Sequence, residues 1–118
     1  MENEWVENLR NWASSAPLIS KVWIFGSRVK GTHKETSDLD VAIELDVEDE
    51  NKKILAWISN ADIWRAELTN IFETTPVVDL QVVVDDDEIV LPAVLDHGIL
   101  IYPLNAMGNS KEKPHGKL

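Results

Sequence analysis

The chain has 118 residues, 44% of them apolar, five tryptophans and a formal charge of −10. That suffices for one domain with a real core and is too apolar for a disordered chain. The charge argues against a non-specific grip on nucleic acid, the lack of cysteine rules out disulfides and thiolate zinc sites, and no apolar run approaches a membrane span.

The acidic start, MENEWVENLR, lacks the basic-then-apolar form of a secretory signal, so a cytoplasmic protein is expected. Trp5, Val6, Leu9, Trp12, Ala13 and Ala16 fall on one helical stripe, which predicts a helix over 4–16 with Glu7, Asn8 and Arg10 facing away and Pro17 ending it. KVWIFG reads as a short buried strand closed by Gly26. SRVK reads as a one-turn helix capped by Ser27 and closed by Gly31. In DLDVAIELDV, strict alternation puts Leu39, Val41, Ile43, Leu45 and Val47 on one face and Asp38, Asp40, Ala42, Glu44 and Asp46 on the other.

From about Asp49 to Glu73 the pattern is helical, in one piece or in two broken near SNAD. Its apolar stripe is Ile54, Leu55, Trp57 and Ile58, then Ile63, Trp64, Leu68, Ile71 and Phe72. TTP stops it, and VVDLQVVV is a third strand rich in β-branched residues. The acidic DDDE suits a helix N-terminus, EIVLPAVLDHG a helix closed by Gly98, and ILIYP a last short strand. The order α-β-(short α)-β-α-β-α-β predicts an α/β or α+β domain, with a small central mixed sheet flanked by helices. We read residues 1–104 as one domain with its core over 18–102, and 105–118 as a mobile tail without apolar periodicity.

Chemistry gathers in FGSRVKGTHKETSDLDVAIEL. Asp38 and Asp40 leave the same face of a strand, roughly 6–7 Å apart along the backbone. They repel unless a cation lies between them. Asp79 interrupts a run that would otherwise be an ordinary buried strand, and a charge there calls for a partner or a metal. If the two strands are neighbours, three hard oxygen donors converge, a set suited to Mg²⁺ or Mn²⁺ and not to zinc. Taken alone, a D-x-D is as well explained by a solvated strand edge, and a Gly-Ser pair by a tight turn.

The basic residues shift that balance. Arg28, Lys30, His33 and Lys34 form a local positive excess in a chain with twenty-one carboxylates and eleven Lys plus Arg. They sit beside Gly26 and Ser27, where a backbone free of a side chain can approach a phosphate. A phosphate loop and clustered carboxylates are together the parts of metal-assisted phosphoryl or nucleotidyl transfer. His33 reads as a loop bystander, and His97 as a residue favoured at its helix C-terminus by the dipole.

GS at 26–27, DLD at 38–40 on a strand and VDL at 78–80 resemble the nucleotidyltransferase fold of the DNA polymerase β superfamily, and within it the minimal nucleotidyltransferases. The resemblance covers about residues 18–102. It implies that Gly26 and Ser27 hold the triphosphate of an NTP, with Arg28 and Lys30 of the basic turn as further phosphate contacts. It implies that Asp38 and Asp40 bind two Mg²⁺ (or Mn²⁺) ions, and that Asp79 is the third catalytic carboxylate. It also implies a small helical HEPN-type toxin as partner, with AMP transferred from ATP to a hydroxyl of that toxin by its antitoxin. Two alternatives remain open on the residues: an antitoxin acting by contact alone, and the catalytic lobe of a small-molecule nucleotidyltransferase of the aminoglycoside-modifying type.

Overall fold

The computed structural model describes residues 3–73 and 76–103. Helix α1 (Asn3–Ser14) leads into strand β1 (Ile19–Phe25), and the one-turn helix α2 (Ser27–Lys30) and a loop lead to β2 (Leu39–Leu45). Helix α3 (Glu50–Phe72) crosses to β3 (Val78–Val82), and α4 (Val90–His97) runs directly into β4 (Ile99–Tyr102). The four strands form one mixed sheet, as expected, in the order β3-β2-β1-β4. β1 is antiparallel to β2 and β4, while β2 and β3 are parallel and are joined by the long α3 crossover that a parallel pair needs. The expected tail at 105–118 lies outside the described residues.

The alternation in β2 determines which way the sheet faces. Leu39, Val41, Ile43 and Leu45 are buried with Val22 and Ile24 of β1, Leu80 of β3 and Ile101 of β4. Leu9, Trp12 and Ala13 of α1 and Trp64, Leu68 and Phe72 of α3 cover that face. On the other face Trp23, Ala42 and Val83 are buried under Val90 and Val94 of α4. With only eight residues, α4 covers part of that face.

Three details settle or amend the sequence reading. α3 is one uninterrupted helix of 23 residues: SNAD contains no Gly or Pro, and the Asn60 side chain donates back to the Ala56 carbonyl at 2.9 Å. Its apolar stripe is too broad to be buried whole. At 100° per residue, Ile58 lies about 120° and Leu55 about 180° from Trp64, so both stay exposed, as do Ile54, Ile63 and Ile71. Arg10 does not simply face water: its Nε donates to the Ile101 carbonyl of β4 at 2.8 Å and ties α1 to the sheet edge.

The acidic stretch before α4 serves as a helix N-terminus, through Asp87. Its carboxylate accepts from the N–H groups of Ile89 and Leu91, both at 2.9 Å. Partial burial opposes ionisation of Asp87, yet the N–H groups of Ile89, Leu91 and Val90 outweigh it and hold the carboxyl below its ordinary range. A carboxylate with a lowered folded pKa contributes stability above its unfolded pKa and loses it on acidification. Asp87→Ala should therefore cost about 1 kcal/mol in urea unfolding at pH 7, with the deficit shrinking at pH 3.

Candidate active site

Register brings the first two site residues together. In the parallel β2–β3 pair Asp40 stands opposite Asp79, on the face not covered by α1 and α3. Neighbouring strands lie about 4.8 Å apart, so the two carboxyls come within reach of one another, and a proton held by Asp40 can be shared with Asp79. Gln81, two residues along β3 on the same face, donates its Nε2 to Asp79 Oδ1 at 2.8 Å. The Asp40 carboxyl is pushed up from 3.8 to about 6, first by burial, then by the charges of Asp79 and Asp38 beside it.

Asp38 stands apart from this pair. It is exposed and precedes β2, and acts on Asp40 through its charge. Among the described residues no group of three or more His, Asp or Glu is assembled to hold an ion. The convergence of three carboxylates expected from the sequence is here a contacting pair with a third charge nearby. The donor set still fits a hard divalent cation: two adjacent carboxyls, one of them resisting ionisation through burial and the charge of the other, are a pair that added positive charge would relieve.

Gly26 meets this pair from the next strand. β1 places Phe25 opposite Asp40, and the chain then turns at Gly26 with φ 82 and ψ −159. A Cβ at this position would overlap the Asp40 carboxylate, 2.8 Å from its Cγ. Only glycine satisfies both the dihedrals and the approach. Gly26, not Ser27, is the N-cap of α2: its carbonyl accepts from Val29 and Lys30, both at 3.1 Å, and Ser27 is the first helical residue, making no side-chain cap bond.

The basic residues divide into two kinds. Lys30, His33 and Lys34 are exposed on the turn that follows. Arg28, expected as a phosphate contact, is also engaged by the protein's own loop. Its Nη2 donates to the carbonyls of Ser37 at 2.9 Å and Glu35 at 3.1 Å, and its Nε to Ser37 at 3.2 Å. The guanidinium also lies over the Trp5 ring, 5.1 Å from its centroid. Arg28 thus braces the loop that carries Asp38 against α1.

Sequence reasoning missed His97. Its Nε2 accepts the Gly26 N–H at 2.8 Å, and its Nδ1 lies 3.0 Å from Asp96 Oδ2. Because the Gly26 N–H donates, Nε2 is unprotonated and the ring proton sits on Nδ1, facing Asp96. The two residues are 71 apart in the chain. The signal that would have joined them is strand pairing: β4 is antiparallel to β1 with Ile99 opposite Ile24, so the residue just before β4 comes close to the residue just after β1.

A family model for "Polymerase beta, Nucleotidyltransferase" matches residues 7–106. No curated protein sequence matches the chain. Among solved structures, the chain is similar to a toxin-antitoxin with AMP-PNP, with a TM-score of 0.60 and 19% identity over 86% of this chain and 73% of that one. It is also similar to two mutant forms of the toxin-antitoxin MntA-HpeT. One has a TM-score of 0.58 and 20% identity over 86% of this chain and 73% of that one. The other has 0.55 and 22% over 85% and 70%. At these identities the solved structures establish a shared fold.

The raised Asp40 carboxyl has a measurable sign. Its penalty is absent below pH 3.8, grows as pH rises, and is complete above about 6. Asp40→Asn should therefore match wild type near pH 3.5 and melt higher at pH 8. The gain should be roughly 1 kcal/mol, a discounted linkage value because solvent screens the group, or about 5 °C. Millimolar Mg²⁺ should raise the wild-type melting temperature and leave that of Asp40→Asn unchanged.

Proposed function

The chain belongs to the polymerase beta nucleotidyltransferase family, and we propose that this nucleotidyltransferase moves an NMP, from ATP in the first place, to a hydroxyl of a partner toxin of the HEPN type. It would thereby act as the antitoxin of a two-protein module in the cytoplasm. The observation that carries the reading is the Asp40–Asp79 pair, packed against a Gly26 that tolerates no side chain. The toxin-antitoxin neighbours, one of them with AMP-PNP, favour this choice of donor and partner over a small-molecule acceptor.

In this reading Gly26 brings the backbone within reach of the triphosphate, and the Ser27 hydroxyl, not engaged in capping α2, is a ready donor to it. Lys30 adds positive charge from the solvent side, while Arg28 keeps the 31–38 loop, and Asp38 at its end, in place. Asp40 and Asp79 would hold the divalent cations, two Mg²⁺ or Mn²⁺ in the full family arrangement, with Asp38 contributing. Such ions lower the pKa of an acceptor hydroxyl and offset the charge of the triphosphate and of departing pyrophosphate. Gln81 orients Asp79 by donating to Oδ1, leaving its other oxygen for a cation or an acceptor proton.

Neutralisation by contact alone is the second reading, favoured by one observation: the carboxylates form a pair and not an assembled triad among the described residues. Incubation with Mg²⁺, each α-labelled NTP and the product of the adjacent gene separates the two. The transfer reading expects label on that protein with ATP. Asp79→Asn should cut transfer by more than about 100-fold and abolish neutralisation, whereas Gln81→Leu, which removes only an outer partner, should cost about tenfold. Full protection by the Asp38→Asn/Asp40→Asn double variant would overturn transfer and leave contact inhibition standing.

A further inference from the structure

We infer that His97 is a positioning residue for the phosphate loop: its unprotonated Nε2 holds the Gly26 N–H and so fixes the chain where it turns from β1 into Gly26 and Ser27 for the incoming triphosphate. The consequence for nucleotide rests on the transfer reading; the hydrogen bond does not.

Gly26 needs such an anchor. Glycine has the largest backbone freedom of any residue, and here it must keep one strained conformation beside a carboxylate. Asp40 limits it on one side, and His97 holds it on the other through a bond of 2.8 Å. The anchor is itself rigid. The His97 side chain is 17% exposed, and Gly98 closes α4 directly after it, donating to the Val94 carbonyl at 2.8 Å. A Cβ at Gly98 would lie 2.7 Å from that carbonyl, so the tight exit from α4 fixes where the ring stands. Asp96, at 3.0 Å, favours the tautomer with its proton on Nδ1, which leaves Nε2 as the acceptor.

This role excludes the obvious alternative. An imidazolium has two donors and no acceptor, so a His97 acting as a cationic phosphate contact would release Gly26. Three substitutions separate the roles. Gln offers a neutral acceptor at similar reach, Lys a cation without an acceptor, and Phe the ring volume with neither.

The measurements are amide exchange at Gly26 by NMR, affinity for ATP with Mg²⁺, and the split between KM and kcat, with melting temperature and circular dichroism confirming folded variants. His97→Phe and His97→Lys should speed Gly26 exchange at least about tenfold and weaken nucleotide binding roughly three- to tenfold, mainly in KM. His97→Gln should recover most of both. Wild-type exchange at Gly26 in the Phe variant overturns the inference, as does a Lys variant that keeps affinity while the Gln variant loses it. Should wild type bind no nucleotide, the transfer reading fails, and the exchange measurement alone still decides the role of His97.

Discussion

Parallel pairing of β2 with β3, in the register that sets Asp40 opposite Asp79, is the constraint on which the rest of the site depends. Slipping that pairing by one residue would turn Asp79 into the apolar layer beneath α1 and α3 and bring Leu80 out to solvent. The register is held because Leu39, Val41, Ile43 and Leu45 on β2 and Leu80 on β3 are all buried on the opposite face. The apolar side of the sheet thus places the polar side, and two carboxyls that repel stay in contact because the core beneath them does not yield.

The same arrangement explains where the sheet is left open. α1 and α3 cover one face with large side chains, whereas α4 offers eight residues and covers the other in part. Ala42, next after Asp40 on that face of β2, is buried under α4, while Asp40 and Asp79 are half-buried. Half-burial matters chemically. It is deep enough to push the Asp40 carboxyl to about 6 and still leaves both side chains in reach of solvent.

Two side chains remote in sequence hold the loops that border this opening. Arg28 bonds the carbonyls of Glu35 and Ser37 and rests on Trp5, so the loop leading to Asp38 is tied to α1. His97 reaches from the end of α4 to the Gly26 amide. Neither is required by the chemistry of phosphoryl transfer. Both restrict backbone that would otherwise sample many conformations, which is what a site built partly on loops needs from its surroundings.

The sequence by itself determined the elements and the residue types of the site. Alternation in DLDVAIEL, the helical stripe before Pro17 and the Asp interrupting VVDLQVVV are local patterns, each legible because burial on one face imposes a period. It did not determine how α3 divides its apolar residues between core and solvent, because a helix carrying such residues around most of its circumference has no unique buried face. Tertiary structure decided the pairing of Asp40 with Asp79, the exposure of Asp38 and the use of Arg28 as a brace. It also decided that His97 meets the Gly26 amide. A hydrogen bond across 71 residues exists only because β4 returns antiparallel to β1, and no local period in the chain encodes that return.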